Sequence, residues 1–185
     1  IALCRRRLGT TVDLEQRRLA LYRIAGIARA PGNATVALEA YAELGQLDPT
    51  DTDPFAARVE MLREADAQAP LAEALVGLAR ATASRHDRSV FLCEAARLQG
   101  RNLHHAEKAA DLYGEAFEAD PGQDEAFVYL ERHVGHEPRK LQALYDRRAG
   151  GLPAGPGRTL ILRRLAAACG ELGDGAGACA ALNRA

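Results

Sequence analysis

The chain has 185 residues, of which 48% are hydrophobic and only 5% are aromatic. Its 24 basic and 25 acidic residues nearly cancel, which argues against a dedicated nucleic-acid binder because such proteins carry a basic excess. The sequence contains no run of 18 apolar residues and no visible signal peptide, so neither a membrane span nor secretion is expected. Alanine and leucine dominate the apolar residues and both favour helix, so the composition predicts an all-α fold.

The sequence repeats itself over long intervals. A shift of 141 residues superposes residues 1–44 on 142–185 without a gap and with 13 identities. A shift of 72 residues aligns Tyr41 with Tyr113 and the Asp-Pro pair at 48–49 with that at 120–121. The long period is therefore about 70 residues, or two units of about 35, and such periods are typical of stacked helical solenoids.

The first complete unit, at about residues 13–49, has the pattern of a helical hairpin. Apolar residues recur at helical spacing through 21–28, and Pro-Gly-Asn at 31–33 then breaks the helix, because proline lacks a backbone N–H donor and glycine tolerates positive φ. A second apolar stripe runs through 37–44, and Asp-Pro at 48–49 ends it. Two helices joined by so short a turn are expected to pack antiparallel.

The hairpin pattern recurs along the chain in strong and weak copies. Strong copies follow at 86–121 and 156–185, the former with a turn near 100–102 that is about two residues longer. Weak copies at 52–84 and 122–150 keep the length and rhythm but lack the full set of small residues. We therefore predict one array over residues 1–185, with hairpins at about 13–49, 52–84, 86–121, 122–150 and 156–185.

Two shorter stretches bear on the limits of this array. Residues 1–9 match 142–150 and are interpreted as the end of a preceding hairpin, so the chain is expected to be a piece of a longer array. The Gly/Pro-rich stretch 151–157 falls inside the ungapped match. It is therefore expected to be a loop within the array and not a linker between domains.

The hairpin at 13–49 resembles the tetratricopeptide repeat. Ala25 and Ala37 occupy the sites where that family carries small residues, and Tyr41 matches its bulky aromatic. Gly-Asn at 32–33 stands where the family has its interhelix Gly-Asp, and Asp-Pro at 48–49 matches its terminator. The resemblance implies a right-handed α-α superhelix whose first helices line a concave groove. It also implies a protein or peptide partner.

The groove of such a superhelix is the predicted binding surface. Its candidate residues lie on the exposed faces of the first helices: Tyr22, Arg29, Glu60, Arg63, Gln99, Arg132 and Arg163, with Leu92 and Ala96 beside them. The predicted function is a non-catalytic scaffold in the cytoplasm of a bacterium with an arginine-rich, alanine-rich proteome. The alternatives are a spacer or oligomerisation segment that self-associates through its end helices, and an RNA-binding helical repeat.

The sequence contains no constellation typical of catalysis. Because no phosphate loop, nucleophile elbow or HExxH motif is present, we predict that the chain is not an enzyme and uses neither cofactor nor metal. Cys93 and Cys169 are expected to be small buried residues, with a Cys169–Cys179 disulfide as the alternative. Surface or helix-capping roles are expected for the histidines at 104, 105, 133 and 136.

Clustered arginines admit two interpretations. They lie at 5–7, 17–18, 147–148 and 163–164. If their side chains converge, they could hold an acidic peptide terminus through bidentate hydrogen bonds. Acidic residues nearby favour the other interpretation, a solvated face with weak ion pairs.

Overall fold

A computed structural model describes residues 13–29 and 33–185, and these residues form ten α-helices and no strand. The helices are α1 Leu14–Ala28, α2 Ala34–Leu47, α3 Thr52–Glu64, α4 Gln68–Ala81, α5 Arg85–Arg97, α6 Ala106–Ala119, α7 Asp124–Val134, α8 Pro138–Gly151, α9 Pro156–Glu171 and α10 Gly175–Asn183. The predicted all-α fold is confirmed. The predicted hairpin end at 1–9 and most of the break at 31–33 lie outside the described residues.

Local sequence signals account for where several helices begin. Four N-cap side chains accept a backbone N–H from the first turn, which satisfies a donor that has no partner within the helix. These caps are Asp13 (3.1 Å), Asp51 (3.1 Å), Ser84 (3.2 Å) and Asp174 (2.8 Å). Prolines open α8 and α9, where the missing N–H costs nothing.

Two glycines show why the chain turns sharply between helices. Gly135 follows α7 with φ of 62°, and Gly173 follows α9 with φ of 74°. A side chain with a Cβ atom is strained in this left-handed region, whereas glycine adopts it readily. Each glycine therefore lets the next helix turn back after a short loop.

The helices form a linear stack. In the described part of the chain, the closest backbone approaches run between helices that are consecutive in sequence, from α1 against α2 through to α9 against α10. Buried apolar residues divide accordingly into three clusters along the stack: one around α1 and α2, one around α3 and α4, and a large one from α5 to α10. Each helix pair is thus covered by its neighbour, as in a solenoid.

The longer turn predicted near residues 100–102 takes a specific form. Leu98–Asn102 continue α5 as one π-helical turn, with the Leu103 N–H bonded to the Leu98 carbonyl at 3.0 Å. The wider coil takes up the additional residues, and His104 at φ of 56° completes the reversal into α6. The Asn102 amide also donates to the Gln68 side chain at 2.7 Å, which ties the turn to the start of α4.

An aromatic ring separates two even-numbered helices next to this turn. Phe55 of α3 projects between α2 and α4, where Gly45 and Gly77 face its ring. A Cβ atom added at Gly45 or Gly77 would lie 2.7 or 2.8 Å from the ring, closer than carbon atoms pack. The two glycines therefore create the slot that the phenyl ring fills.

Candidate binding surfaces

The odd-numbered helices share one surface, here called the odd-helix face, which is crossed by a ladder of ion pairs. The rungs are Arg29–Glu60 (2.5 Å), Arg63–Glu94 (2.7 Å), Arg97–Glu125 (3.1 Å) and Glu131–Arg164 (2.6 Å). Each rung joins consecutive odd-numbered helices, from α1 to α9. Exposed pairs of this kind contribute about 0–1 kcal/mol each, so the ladder fixes the register of the stack more than it strengthens it.

The ladder follows the repeat. Arg29, Arg63 and Arg97 stand 34 residues apart, and so do Glu60 and Glu94. Glu131 continues the arginine register with the opposite charge, and its partner Arg164 reverses the rung accordingly. Three of the predicted binding residues, Arg29, Glu60 and Arg63, therefore already make ion pairs within the molecule.

Tyr22 also makes an internal contact. Its hydroxyl donates to Asp51 at 2.7 Å, and Arg18 donates to the same carboxylate at 2.9 Å. Burial, followed by the hydrogen bond to Asp51, raises the pKa of Tyr22 to about 12. Since Asp51 caps α3, Tyr22 connects α1 to the start of the next odd-numbered helix.

Gln99 lies away from the other predicted residues. It belongs to the π-helical turn, and its side-chain oxygen is 2.9 Å from Nδ1 of His105. It lines a cavity of about 370 Å³ between α4 and α6, which is on the side of the even-numbered helices. The structure thus separates Gln99 from the odd-helix face.

Arg132 and Arg163 are the predicted residues with free charges. Both are exposed, and neither makes an ion pair or hydrogen bond with any residue in 13–29 or 33–185. Val128 on the same face of α7 is 41% exposed, and Leu160 on the same face of α9 is 52% exposed. The α7–α9 end of the odd-helix face therefore combines free cations with exposed apolar side chains.

The predicted exposure of two α5 residues is wrong. Leu92 is 2% exposed and Ala96 is fully buried, because this part of α5 packs into the large apolar cluster with α6. Helical spacing alone placed them one step too far around the helix. The ladder residues Glu94 and Arg97 mark the side of α5 that faces solvent.

The clustered arginines form internal ion pairs where the structure describes them. Arg17 pairs with Glu43, Arg147 with Glu118, and Arg148 with Asp124. Arg148 is only 5% exposed; it also donates to the Pro121 carbonyl at 2.7 Å and lies over the Phe127 ring at 4.9 Å. This burial was not expected from the sequence, because only the fold brings Phe127 beneath that side chain. The cluster at 5–7 lies outside the described residues.

The cysteines and histidines have structural surroundings. Cys93 and Cys169 are buried and Cys179 is exposed, and all three are free, so the alternative of a Cys169–Cys179 disulfide is wrong. Burial raises the pKa of Cys93 to about 12, which keeps its thiol protonated and unreactive near neutral pH. Among residues 13–29 and 33–185, no group of three His, Cys, Asp or Glu side chains is arranged to hold a metal ion.

The fold and surfaces define a helical-repeat protein that presents side-chain surfaces between stacked helices. No helix within the described ranges is both long and apolar enough to cross a bilayer. No protein-family model and no curated protein matches the chain.

Several solved structures have a similar fold. Two are structures of MamA, at 14% identity over 90% of this chain and 88% of that one (TM-score 0.41), and at 13% over 87% and 91% (TM-score 0.39). A third is BtubC (BKLC) from P. vanneervenii, at 16% identity over 94% of this chain and 90% of that one (TM-score 0.35). At this level of similarity, the conclusion about the fold rests on the helices themselves.

Proposed function

We propose that this chain is a non-catalytic scaffold that binds a protein or peptide through the α7–α9 end of its odd-helix face. The observation that carries the proposal is the pair of unpartnered guanidinium groups of Arg132 and Arg163 beside exposed Val128 and Leu160. Arginine with adjacent apolar surface is a combination enriched where proteins bind each other. The remaining predicted residues hold the surface in register, since Arg29, Glu60 and Arg63 belong to the ladder.

We also propose that the ten helices form one tetratricopeptide-like array of five hairpins. The small residues Ala25 and Ala37 support this, because both are fully buried where α1 and α2 meet. Tyr41 and Tyr113, which the repeat aligns, are both buried as well. The concave groove of that family would then be the odd-helix face.

A spacer function is the second candidate, and the ion-pair ladder favours it. Four rungs between consecutive odd-numbered helices restrict how far the stack can bend, which suits a segment that sets a distance between other domains. A spacer needs no occupant on Arg132 or Arg163. The two functions therefore differ in what substitution of these two arginines does.

A peptide-display selection distinguishes the two. Random peptides are enriched on the wild-type chain and then tested against a variant with Arg132→Glu and Arg163→Glu. The scaffold function predicts enriched peptides whose binding falls at least about tenfold on the double variant. The matched control is Arg139→Glu, which changes an exposed arginine on α8. Failure to enrich any peptide that responds to the double variant would favour the spacer.

A further inference from the structure

A second surface lies between α4 and α6, where the stack has a cavity of about 480 Å³. Its walls come from the end of α4 and the second half of α6, and α5 forms its floor. A volume of this size holds a few side chains, within the range of small-molecule and peptide pockets. It lies on the opposite side of α5 from the odd-helix ladder, since Arg88 and Leu92 line it while Glu94 and Arg97 form rungs.

The cavity exists because one position of the repeat changes residue type. Phe55, Arg88 and Phe127 each stand four residues after the N-cap of their helix. Phe55 fills the slot between α2 and α4, and Phe127 packs between Phe117 of α6 and Tyr145 of α8 at ring distances of 6.4 and 6.2 Å. Arg88 stands at the same position between α4 and α6, and the space there remains open.

Arg88 has unused hydrogen-bonding capacity in this cavity. One terminal nitrogen donates to the Thr82 carbonyl at 2.9 Å, while its Nε is buried without any partner among the described residues. A buried donor without an acceptor is unfavourable by about 1–3 kcal/mol, and more when it is charged. An occupant that brings an oxygen acceptor would remove this cost.

The other charges around the cavity select the kind of occupant. Arg80 is exposed and has no ion pair within the described part of the chain, whereas Arg85 caps the end of α6 by donating to the Ala119 carbonyl at 2.9 Å. Glu115 and Glu118 line the opposite wall. Three arginines against two glutamates suit one carboxylate and disfavour a polyanion such as RNA, whose successive phosphates would meet the glutamates.

We propose that the groove between α4 and α6 binds a short segment of a partner protein in which one acidic side chain is flanked by apolar ones. The carboxylate pairs with Arg88 and Arg80, and the apolar neighbours cover Leu92 and Ala79 on the floor and wall. Since α4 and α6 have 14 residues each, the groove is about 21 Å long and takes about six extended residues. This site is separate from the one on α7 and α9.

The test uses two fluorescein-labelled heptapeptides, one with a glutamate between two leucines and one with glutamine in its place. Fluorescence anisotropy with the full chain should show the glutamate peptide binding about tenfold more tightly, because a charge-assisted hydrogen bond is lost with glutamine. Arg88→Phe should abolish the difference. That variant is expected to fold, since phenylalanine occupies the same position in α3 and α7.

Two further variants keep the outcome decisive. Arg80→Gln changes an exposed side chain and should weaken the glutamate peptide severalfold, while Arg139→Gln on α8 should not. Equal affinity for both peptides, or unchanged binding by Arg88→Phe with an intact circular dichroism spectrum, would refute the proposal. A hexauridylate that binds and depends on Arg88 would assign the groove to nucleic acid instead.

The double variant Arg132→Glu with Arg163→Glu separates this proposal from the scaffold function. It should bind the glutamate peptide as the wild type does. If it loses that peptide while Arg88→Phe keeps it, the odd-helix face is the site that recognises the acidic segment, and the α4–α6 assignment fails alone.

Discussion

The slot between α2 and α4 and the groove between α4 and α6 differ in one side chain of the repeat. In the first, the Phe55 ring is held between Gly45 and Gly77. In the second, Arg88 takes the place of the phenylalanine and leaves a cavity. The comparison shows that a repeat protein can close one groove and open the next without altering its backbone, because each position is filled independently. Four predictions test that comparison.

The largest expected effect is the loss of the ring. Phe55→Ala should lower the free energy of unfolding by about 2–3 kcal/mol, because the ring is half-buried and leaves a cavity between two helices. The matched change Arg88→Ala should cost less than about 1 kcal/mol, since its groove is already open. Urea unfolding followed by circular dichroism measures both. Similar losses for the two variants would contradict the comparison.

Narrowing the slot should have the next largest effect. Gly77→Ala adds a Cβ atom 2.8 Å from the Phe55 ring, so we expect a net loss of about 1–2 kcal/mol despite the better helix propensity of alanine. The control is Gly114→Ala in α6, where nothing lies within 4 Å, and it should gain about 0.5–1 kcal/mol. If Gly77→Ala stabilises the chain as much as the control does, the slot is not closely packed.

The open groove has a polar connection at its end, and its contribution should depend on pH. His86 Nδ1 lies 2.8 Å from Asp120, and the Gly122 N–H donates to the same carboxylate at 2.8 Å. The bond from His86 is the main cause that lowers the pKa of Asp120 below its usual value. A carboxyl with a lowered folded-state pKa stabilises the fold above its unfolded-state pKa, near 3.9, and loses that contribution as the pH falls through the folded-state pKa.

Asp120→Asn should therefore cost about 1 kcal/mol at pH 6, and the difference from the wild type should shrink as the pH falls below about 4. Thermal unfolding over a pH series measures this. Asp111→Asn on α6 is the control, because Asp111 is exposed and makes no ion pair in the described part of the chain. A difference that persists unchanged at pH 2 would contradict the assignment.

The smallest effect concerns the rung that joins the two compared regions. Arg63 of α3 pairs with Glu94 of α5, and Arg63→Gln should lower stability by about 0.5 kcal/mol at low salt. The loss should disappear near 1 M salt, where charges are screened beyond about 3 Å. Arg132→Gln, which removes an unpaired arginine, should show neither effect. A loss that is independent of salt would mean that Arg63 acts through packing.

The sequence was informative about the repeat and less so about what fills it. The all-α fold follows from the alanine and leucine content and from the regular apolar spacing, which local helix physics explains. The π-helical turn Leu98–Asn102 could be located as a longer connection, but its coil could not, because it depends on contacts with α4 and α6. Arg148 over Phe127 likewise joins residues 21 apart in sequence.

The binding residues were predicted only in part for a similar reason. Helical spacing identified solvent-facing positions such as Arg29 and Arg63 but could not show that each reaches a glutamate on the next odd-numbered helix. A signal was available, since these arginines recur with the repeat period, and so do Glu60 and Glu94. Charges that recur with the repeat indicate contacts between repeats, whereas Arg132 and Arg163 break that rhythm and are left unpaired.

The five-residue turn Leu98–Asn102 has an evolutionary consequence. Insertions usually disturb a protein by shifting everything downstream, yet here the surplus length is wound into one broad coil and α6 still reaches its place against α5. Such a joint acts as an expansion seam. Lineages descended from the same duplicated ancestor could therefore vary the length of this connection while every other hairpin keeps its partners.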